Sequence, residues 1–144
     1  MEENLDNEMK LDFLSLPCNE AFARISVASF VASLDPTIEE ISDIKTSVSE
    51  AVTNSIVHGY ENSIGRVVVN AKIKQNTVEI EVIDYGKGIE DIKKAKEPLY
   101  TTKPEQERSG MGFTIMESFM DEIKVKSALG EGTTVFMKKI IKTL

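Results

Sequence analysis

The sequence predicts an α+β fold, a two-layer α/β sandwich in which a mixed β-sheet, with a wholly antiparallel one as the alternative, carries its helices on one face. Three observations lead there. Five short β-rich runs are separated by helical patterns without the strict strand–helix alternation of a parallel sheet. The longest helical run keeps its apolar residues on one side, at spacings of three and four, so it packs on one layer and leaves its other face polar. The chain has 144 residues, 41% hydrophobic and 28% charged, enough for one compact core and too few for two domains of ordinary size. The expected organisation is a flexible N-terminus over residues 1–7 and a single domain over residues 8–144.

The elements follow in order. Glu8–Leu14 alternates apolar and polar residues, as a half-buried strand does. Asn19–Leu34 reads as an amphipathic helix with Phe22, Ile25, Ala28 or Ser29, and Val31 or Ala32 as its apolar stripe. A second helix starts within Asp35-Pro36-Thr37-Ile38-Glu39-Glu40: Asp35 can cap it with Pro36 in first position, or Thr37 can cap it with Glu40 closing a capping box. It runs from about Thr37 to His58 and ends at Gly59, with Ile38, Ile41, Ile44, Val48, Val52 and Ile56 toward the sheet. Arg66–Ile73 and Thr77–Ile83 form a hairpin about Lys74-Gln75-Asn76. Tyr85–Ser109 holds two glycines, two prolines and one short helical stretch, Ile89–Lys96; a connection of that length is a functional lid or a disordered loop. Met111–Met120 is helical, and strands near Glu122–Lys126 and Thr133–Lys139 meet at Gly130-Glu131-Gly132.

Composition excludes several classes of function. No apolar run is long enough to span a bilayer, and Met1–Asp12 carries acids where a secretory signal has bases and then an apolar stretch, so a cytoplasmic protein is expected. One cysteine, Cys18, and one histidine, His58, cannot build a disulfide framework or a Cys/His zinc site. The net charge of −7 argues against direct binding to a nucleic-acid backbone and leaves proteins and nucleotides as partners.

Glu50, Asn54 and His58 recur every four residues on the second helix, drifting about 40° per step, and form a polar stripe away from its apolar face. Alone, such a stripe is ordinarily a solvated face. Val78, Ile80 and Val82 point inward from their strand, and Asp84 continues that row. A carboxylate there is costly without a partner, and an adenine amino group is a suitable one. Gly86 and Gly88 then allow a tight turn against a flat ligand, although a plain Asp-Gly turn has the same composition. Gly110-Met111-Gly112 stands where a loop becomes a helix, so its amides can face phosphate oxygens, with Lys103 and Arg108 supplying positive charge. Thr133 could bring a hydroxyl near the adenine.

In this order and spacing the motifs resemble the ATP-binding superfamily of DNA gyrase, the histidine kinases and the MutL-type ATPases, which share the Bergerat-type ATP-binding fold. Glu50-x-x-x-Asn54 matches its N box, Asp84-x-Gly86-x-Gly88 its first glycine box and Gly110-Met111-Gly112 its second. Ser49-Glu50-Ala51-Val52-Thr53-Asn54, Thr101-Thr102-Lys103-Pro104-Glu105 and Arg108-Ser109-Gly110-Met111-Gly112-Phe113-Thr114-Ile115-Met116-Glu117 are similar, more closely, to the anti-sigma-F factors of endospore-forming bacteria, which are small serine-protein kinases. The resemblance implies a homodimer that uses ATP and Mg²⁺, holds sigma factor F inactive and phosphorylates an anti-anti-sigma protein on serine. It implies Glu50 as general base, Asn54 as Mg²⁺ ligand and Asp84 as adenine acceptor. Gly86, Gly88, Thr102, Lys103, Arg108, Ser109, Gly110, Met111, Gly112 and Thr133 would complete the nucleotide site, and Arg24 would lie on the partner surface. The broader superfamily usually begins its second glycine box with a glycine where this chain has Arg108, a difference that fits the anti-sigma subfamily.

Kinase and ATPase share all these motifs, because a carboxylate can activate a protein hydroxyl or water. Gyrase-like and MutL-like ATPases add transducing domains for which 144 residues leave no space, and the only histidine lies inside the N box. The expectation is a serine-protein kinase that also inhibits a sigma factor. A nucleotide-gated binding module, or an ATPase without kinase activity, is the alternative.

Overall fold

The computed structural model describes residues 4–89, 92, 96 and 112–142. Five strands, β1 (Asn7–Leu14), β2 (Arg66–Lys74), β3 (Thr77–Asp84), β4 (Glu122–Ala128) and β5 (Gly132–Ile140), form one sheet in the order β1-β2-β3-β5-β4. Every neighbouring pair is antiparallel, so the expected mixed sheet is corrected to its alternative. The reason lies in strand order. β4 runs in the same direction as β3, as a single intervening helix would place it, but β5 inserts between them and pairs antiparallel with both.

Register sorts the residues onto two faces. Phe13, Val67 and Asp84 are cross-strand neighbours, as are Leu11, Val69, Val82, Val135 and Val125, and these rows belong to the buried face. The row Glu8, Lys72, Glu79, Lys138, Glu122 crosses all five strands on the opposite face with alternating charge, a pattern that favours this register and keeps that face wet. The sheet begins earlier than expected. Asn7, within the expected flexible N-terminus, pairs with Ile73 in the sheet, and the Asp6 N–H donates to the Ile73 carbonyl just before the strand. The β2–β3 loop is only Gln75-Asn76, since Lys74 already pairs with Thr77.

Three α-helices among the described residues cover the buried face: α1 (Asn19–Val31), α2 (Ile38–Asn54) and α3 (Gly112–Phe119). The stripe expected on α1 is corrected. Ala23, Val27 and Val31, at i, i+4 and i+8, are fully buried, whereas Phe22 is 50% and Ile25 58% exposed. Small and β-branched residues let α1 approach its neighbours closely, and the larger apolar flank stays partly outside, where Phe22 meets Phe13 in a T-shaped contact. On α2, Ile44, Val48 and Val52 are buried as expected and Ala51 is buried beside them, but Ile38, in the first turn, is 87% exposed.

The start of α2 takes the second of the two capping options. Thr37 accepts from the Glu40 N–H at 3.1 Å and the Glu40 carboxylate accepts from the Thr37 N–H at 2.9 Å, while Asp35 ends the preceding turn in a left-handed conformation. The other Glu40 oxygen accepts from the Lys142 N–H at 2.8 Å, so one carboxylate joins the helix start to the chain beyond β5. The backbone N–H groups of Lys142 and Thr37 hold its pKa below the ordinary 4.5. A depressed carboxyl pKa adds stability above the unfolded value, and this is lost as pH falls through the folded value. Glu40→Ala is therefore expected to cost about 1–2 kcal/mol at pH 7. Denaturant titrations of mutant and wild type should converge in strong acid; a gap of equal size at pH 7 and pH 3 would show that the charge is irrelevant.

Candidate active site

α2 carries the polar stripe, and α3 begins opposite it. A Cβ placed on Gly112 would lie 3.1 Å from Glu50 Oε2 and 3.3 Å from Asn54 Nδ2. The last glycine of the phosphate-type turn thus stands directly against the carboxylate and amide of the N box, and any side chain there would crowd both. Glu50 and Asn54 are half-buried. Because Gly112 opens α3, an anion near it would meet the unpaired N–H groups of the first helical turn.

Beyond Asn54 the helix changes character. Ser55–Gly59 forms a π-turn, in which the Tyr60 N–H bonds back to the Ser55 carbonyl at 3.2 Å. His58 lies inside this turn, so the regular four-residue progression from Glu50 through Asn54 does not extend to it. The wider turn brings Ser55 and Gly59 to Asp84.

Asp84 occupies the place its row predicts, at the end of β3, and is only 4% exposed. Its Oδ1 accepts from the Gly86 N–H at 3.0 Å, and the carboxylate also accepts from the Ser55 hydroxyl and the Thr133 N–H. Burial pushes its pKa up, and these three donors oppose that shift. A Cβ on Gly59 would come within 2.9 Å of the carboxylate carbon, so the end of the π-turn closes over one side of the acid.

Gly86 and Gly88 are also required by close approaches within the protein itself. A Cβ on Gly86 would meet the Gly59 carbonyl oxygen at 1.9 Å, and one on Gly88, at φ +78°, would meet the Ala128 carbonyl oxygen at 2.2 Å. Both close approaches are to the protein's own backbone. Thr133 pairs with Asp84 across β3 and β5 as its position suggests, but its hydroxyl lies 2.8 Å from Ser127 Oγ, and it is the Thr133 N–H that reaches the acid. Thr102, Lys103, Arg108, Ser109, Gly110 and Met111 lie outside the described residues. Arg24, on α1, is remote from this site in sequence; its Nε pairs with Glu20 Oε2 at 2.9 Å, so it is not the plain exposed cation its residue type suggests.

Three residues around the acid escape sequence reasoning. Ser55 and Gly59 reach it only through the π-turn, which no periodicity marks. The buried Tyr60 hydroxyl accepts from the Tyr85 N–H at 2.7 Å and donates to the Arg66 carbonyl at 2.5 Å, tying the segment after α2 to the ends of β2 and β3. A tyrosine beside a helix-ending glycine was the only available signal.

Comparison with known proteins agrees with this arrangement. A family model described as the histidine kinase-like ATPase domain matches residues 15–139. Proteins named anti-sigma F factor are similar over nearly the whole chain: one from Thermoanaerobacter sp. is 63% identical over 135 residues, covering 94% of each chain. Another, from Caldanaerobacter subterraneus, is 61% identical over 141 residues, covering 98% of this chain and 97% of its own. Among solved structures, the RsbU and RsbW domains of a Mycobacterium tuberculosis protein share the fold with a TM-score of 0.70 at 20% identity, over 96% of this chain and 33% of that one. With a buried acid ending β3, a carboxylate and an amide facing the glycine that opens α3, and these relatives, the chain belongs to the histidine kinase-like ATPase domain family and, within it, to the anti-sigma F factors.

Proposed function

We propose that this protein is a cytoplasmic, ATP-dependent protein-serine kinase that also binds and inhibits the sporulation sigma factor F, working as a homodimer whose substrate is an anti-anti-sigma protein. The observation that carries the reading is the convergence of Glu50 and Asn54 on Gly112, in a chain 61–63% identical to proteins named anti-sigma F factor. Glu50 accepts the proton of a serine hydroxyl as its oxygen attacks the γ-phosphorus. The phosphoryl group passes to that oxygen, and ADP leaves. Asp84 accepts from the adenine amino group. Gly112, with Gly110, Met111, Ser109 and Arg108 before it, meets the phosphates, and Thr102 and Lys103 belong to the same segment.

Asn54 is a suitable Mg²⁺ ligand, since it offers one neutral oxygen. Among the described residues no group of three or more His, Cys, Asp or Glu side chains gathers to hold a metal. A single amide oxygen suits an ion that takes most of its ligands from phosphate and water. When bound there, Mg²⁺ would neutralise charge on the phosphates. Among the described residues no helix is long and apolar enough to cross a membrane.

The test is to mix the protein with γ-labelled ATP and a lysate of sporulating cells. Label on one small protein, recovered as phosphoserine, supports the kinase reading. Free phosphate alone indicates an ATPase, and ATP binding without turnover indicates a nucleotide-gated binder.

In this reading the partner surface lies on α1; the exposed Phe22 and Ile25 beside Arg24 support it. Exposed large apolar residues beside an arginine have the composition of an interface centre. Arg24→Glu breaks the pair with Glu20, sets two acids at i,i+4 and reverses the charge offered to a partner, at a cost to the helix of about 0.5 kcal/mol. Sigma-factor capture is expected to fall tenfold or more, a loss typical of roughly 1.4 kcal/mol or above for an arginine anchor. ATP affinity should not change. Undiminished capture would put the partner surface elsewhere.

A further inference from the structure

Lys139 stands where the pattern of β5 calls for an apolar residue. It faces the helices between Met137 and Ile141, both fully buried, and opposite Val78 of β3, which is fully buried as well. An ammonium in such a row is costly unless it is paired and hydrogen-bonded. Lys139 is both. Its Nζ lies 3.2 Å from Asp43 Oδ2 on α2 and donates to the carbonyl of Phe119, the last residue of α3, at 2.5 Å; the lysine and aspartate side chains are only 13% and 19% exposed. That carbonyl has no partner inside its own helix and lies at the negative end of the helix dipole. One ammonium from the sheet thus ties the end of α3 to α2.

The other end of the same α2 face meets the candidate active site. Asp43, Ser47, Glu50 and Asn54 follow one another at spacings of four, three and four, so they share a face about 60° wide. α3 runs antiparallel along it: Gly112 opens the helix beside Glu50 and Asn54, and Phe119 closes it at the Lys139–Asp43 pair. Between these ends Ser47 is fully buried, and its hydroxyl has no hydrogen-bond partner among the described residues. The middle of this face therefore offers α3 no directed bond from Ser47.

We propose that Lys139 is a positioning residue for phosphoryl transfer: by anchoring the end of α3 to α2 it sets how closely Gly112 stands to Glu50 and Asn54. The proposal rests on the reading of this cleft as a kinase site. Lys139 lies at the opposite end of α3 from the cleft, so it acts through the helix and not on nucleotide or serine. A helix of eight residues is about 12 Å long and moves as a rod, so a shift at Phe119 reappears at Gly112. Displacing reacting groups by about 1 Å can cost on the order of 10²-fold in rate. Asp84 is carried by β3 and does not move with α3, so the nucleotide keeps its hold there.

The experiment compares wild type, Lys139→Met, Asp43→Ala, the double variant and Glu40→Ala in single-turnover phosphorylation of purified anti-anti-sigma protein. Rates are expressed per ADP-binding site, counted by calorimetry, so that unfolded protein does not enter. Glu40→Ala is the control for lost stability, because it breaks a different bond between α2 and the chain beyond β5 and leaves the Lys139 link intact. Asp43→Ala leaves no unpaired carboxylate and favours the helix, which keeps the test open if Lys139→Met does not fold. The expected result is a roughly tenfold fall in the rate at saturating ATP in both single variants and no further fall in the double, since either change undoes the same link. The half-saturating ATP concentration should move less than about threefold, and Glu40→Ala should keep the wild-type rate per site. Wild-type rates in Lys139→Met and Asp43→Ala would overturn the proposal, as would a double variant whose loss is the product of the two single losses. An equal fall in Glu40→Ala would overturn it by showing that lost stability alone slows the reaction, and a change confined to ATP half-saturation would do so by assigning the link to nucleotide binding. A wild-type protein that binds ADP but phosphorylates nothing overturns the kinase reading itself, and the proposal falls with it.

Discussion

Glu50→Gln should lower serine phosphorylation by about 10²–10⁴ while leaving ATP affinity within a few-fold of wild type. The carboxylate sits on α2 in the one place where the polar stripe meets the opening of α3: Glu50 Oε2 lies 3.1 Å from where a Gly112 Cβ would be. An amide of the same shape keeps that packing. What it loses is the basic oxygen that takes the hydroxyl proton. Phosphoryl transfer has a loose transition state in which positioning supplies much of the acceleration, so a fall near the lower end of the range is consistent with the role. Single-turnover assays with saturating ATP, alongside calorimetric titration of the nucleotide, separate the two effects. A mutant that phosphorylates at the wild-type rate would remove Glu50 from the chemistry, and one that no longer binds ATP would make it part of the nucleotide site.

How much of this was legible in the sequence depended on whether a signal was local. Asp84 was legible because the alternation Val78, Ile80, Val82 fixes the face on which the next even position falls, and the structure buries all four. Glu50 and Asn54 were legible as a stripe because one turn of an α-helix relates them. What they faced was not, since the approach of Gly112 depends on α2 and α3 packing side by side. Strand direction was illegible for a similar reason: nothing local says that β5 comes between β3 and β4. On α1, period alone could not separate the flank that packs inward, Ala23, Val27 and Val31, from the flank left outside, Phe22 and Ile25. Hydrophobicity favoured the larger residues, but close helix packing favoured the smaller ones. Ser55 was missed because its contact with Asp84 exists only where the backbone leaves α-helical bonding. The segment with Thr102, Lys103, Arg108, Ser109, Gly110 and Met111 rests on its motif alone.

Gly86→Ala should be among the most damaging small substitutions near the site, expected to cost on the order of 3 kcal/mol of stability and to bring ATP binding below detection. The added methyl would lie 1.9 Å from the Gly59 carbonyl oxygen, 2.4 Å from its carbonyl carbon and 2.9 Å from its Cα, all backbone atoms, so no flexible side chain can yield. Either the end of the π-turn or the turn after β3 must move by roughly 1 Å, and interiors at crystal-like packing density resist such shifts. Each movement breaks something the acid needs. Shifting Gly86 lengthens its N–H bond to Asp84, now 3.0 Å, whereas shifting Gly59 disturbs the bond its carbonyl accepts from the Lys87 N–H at 2.9 Å and lifts the turn away from the carboxylate. Gly130 supplies the control. It has φ +78° with nothing within 4 Å of its Cβ position, so Gly130→Ala meets backbone strain without collision and should cost only about 1–2 kcal/mol. Denaturant titrations and ATP titrations of the two mutants decide the matter. If Gly86→Ala is no less stable than Gly130→Ala and still binds ATP, the packing of the first glycine motif against the π-turn is not what holds Asp84 in place, and the orientation of the acid would have to come from Ser55 and Thr133 alone.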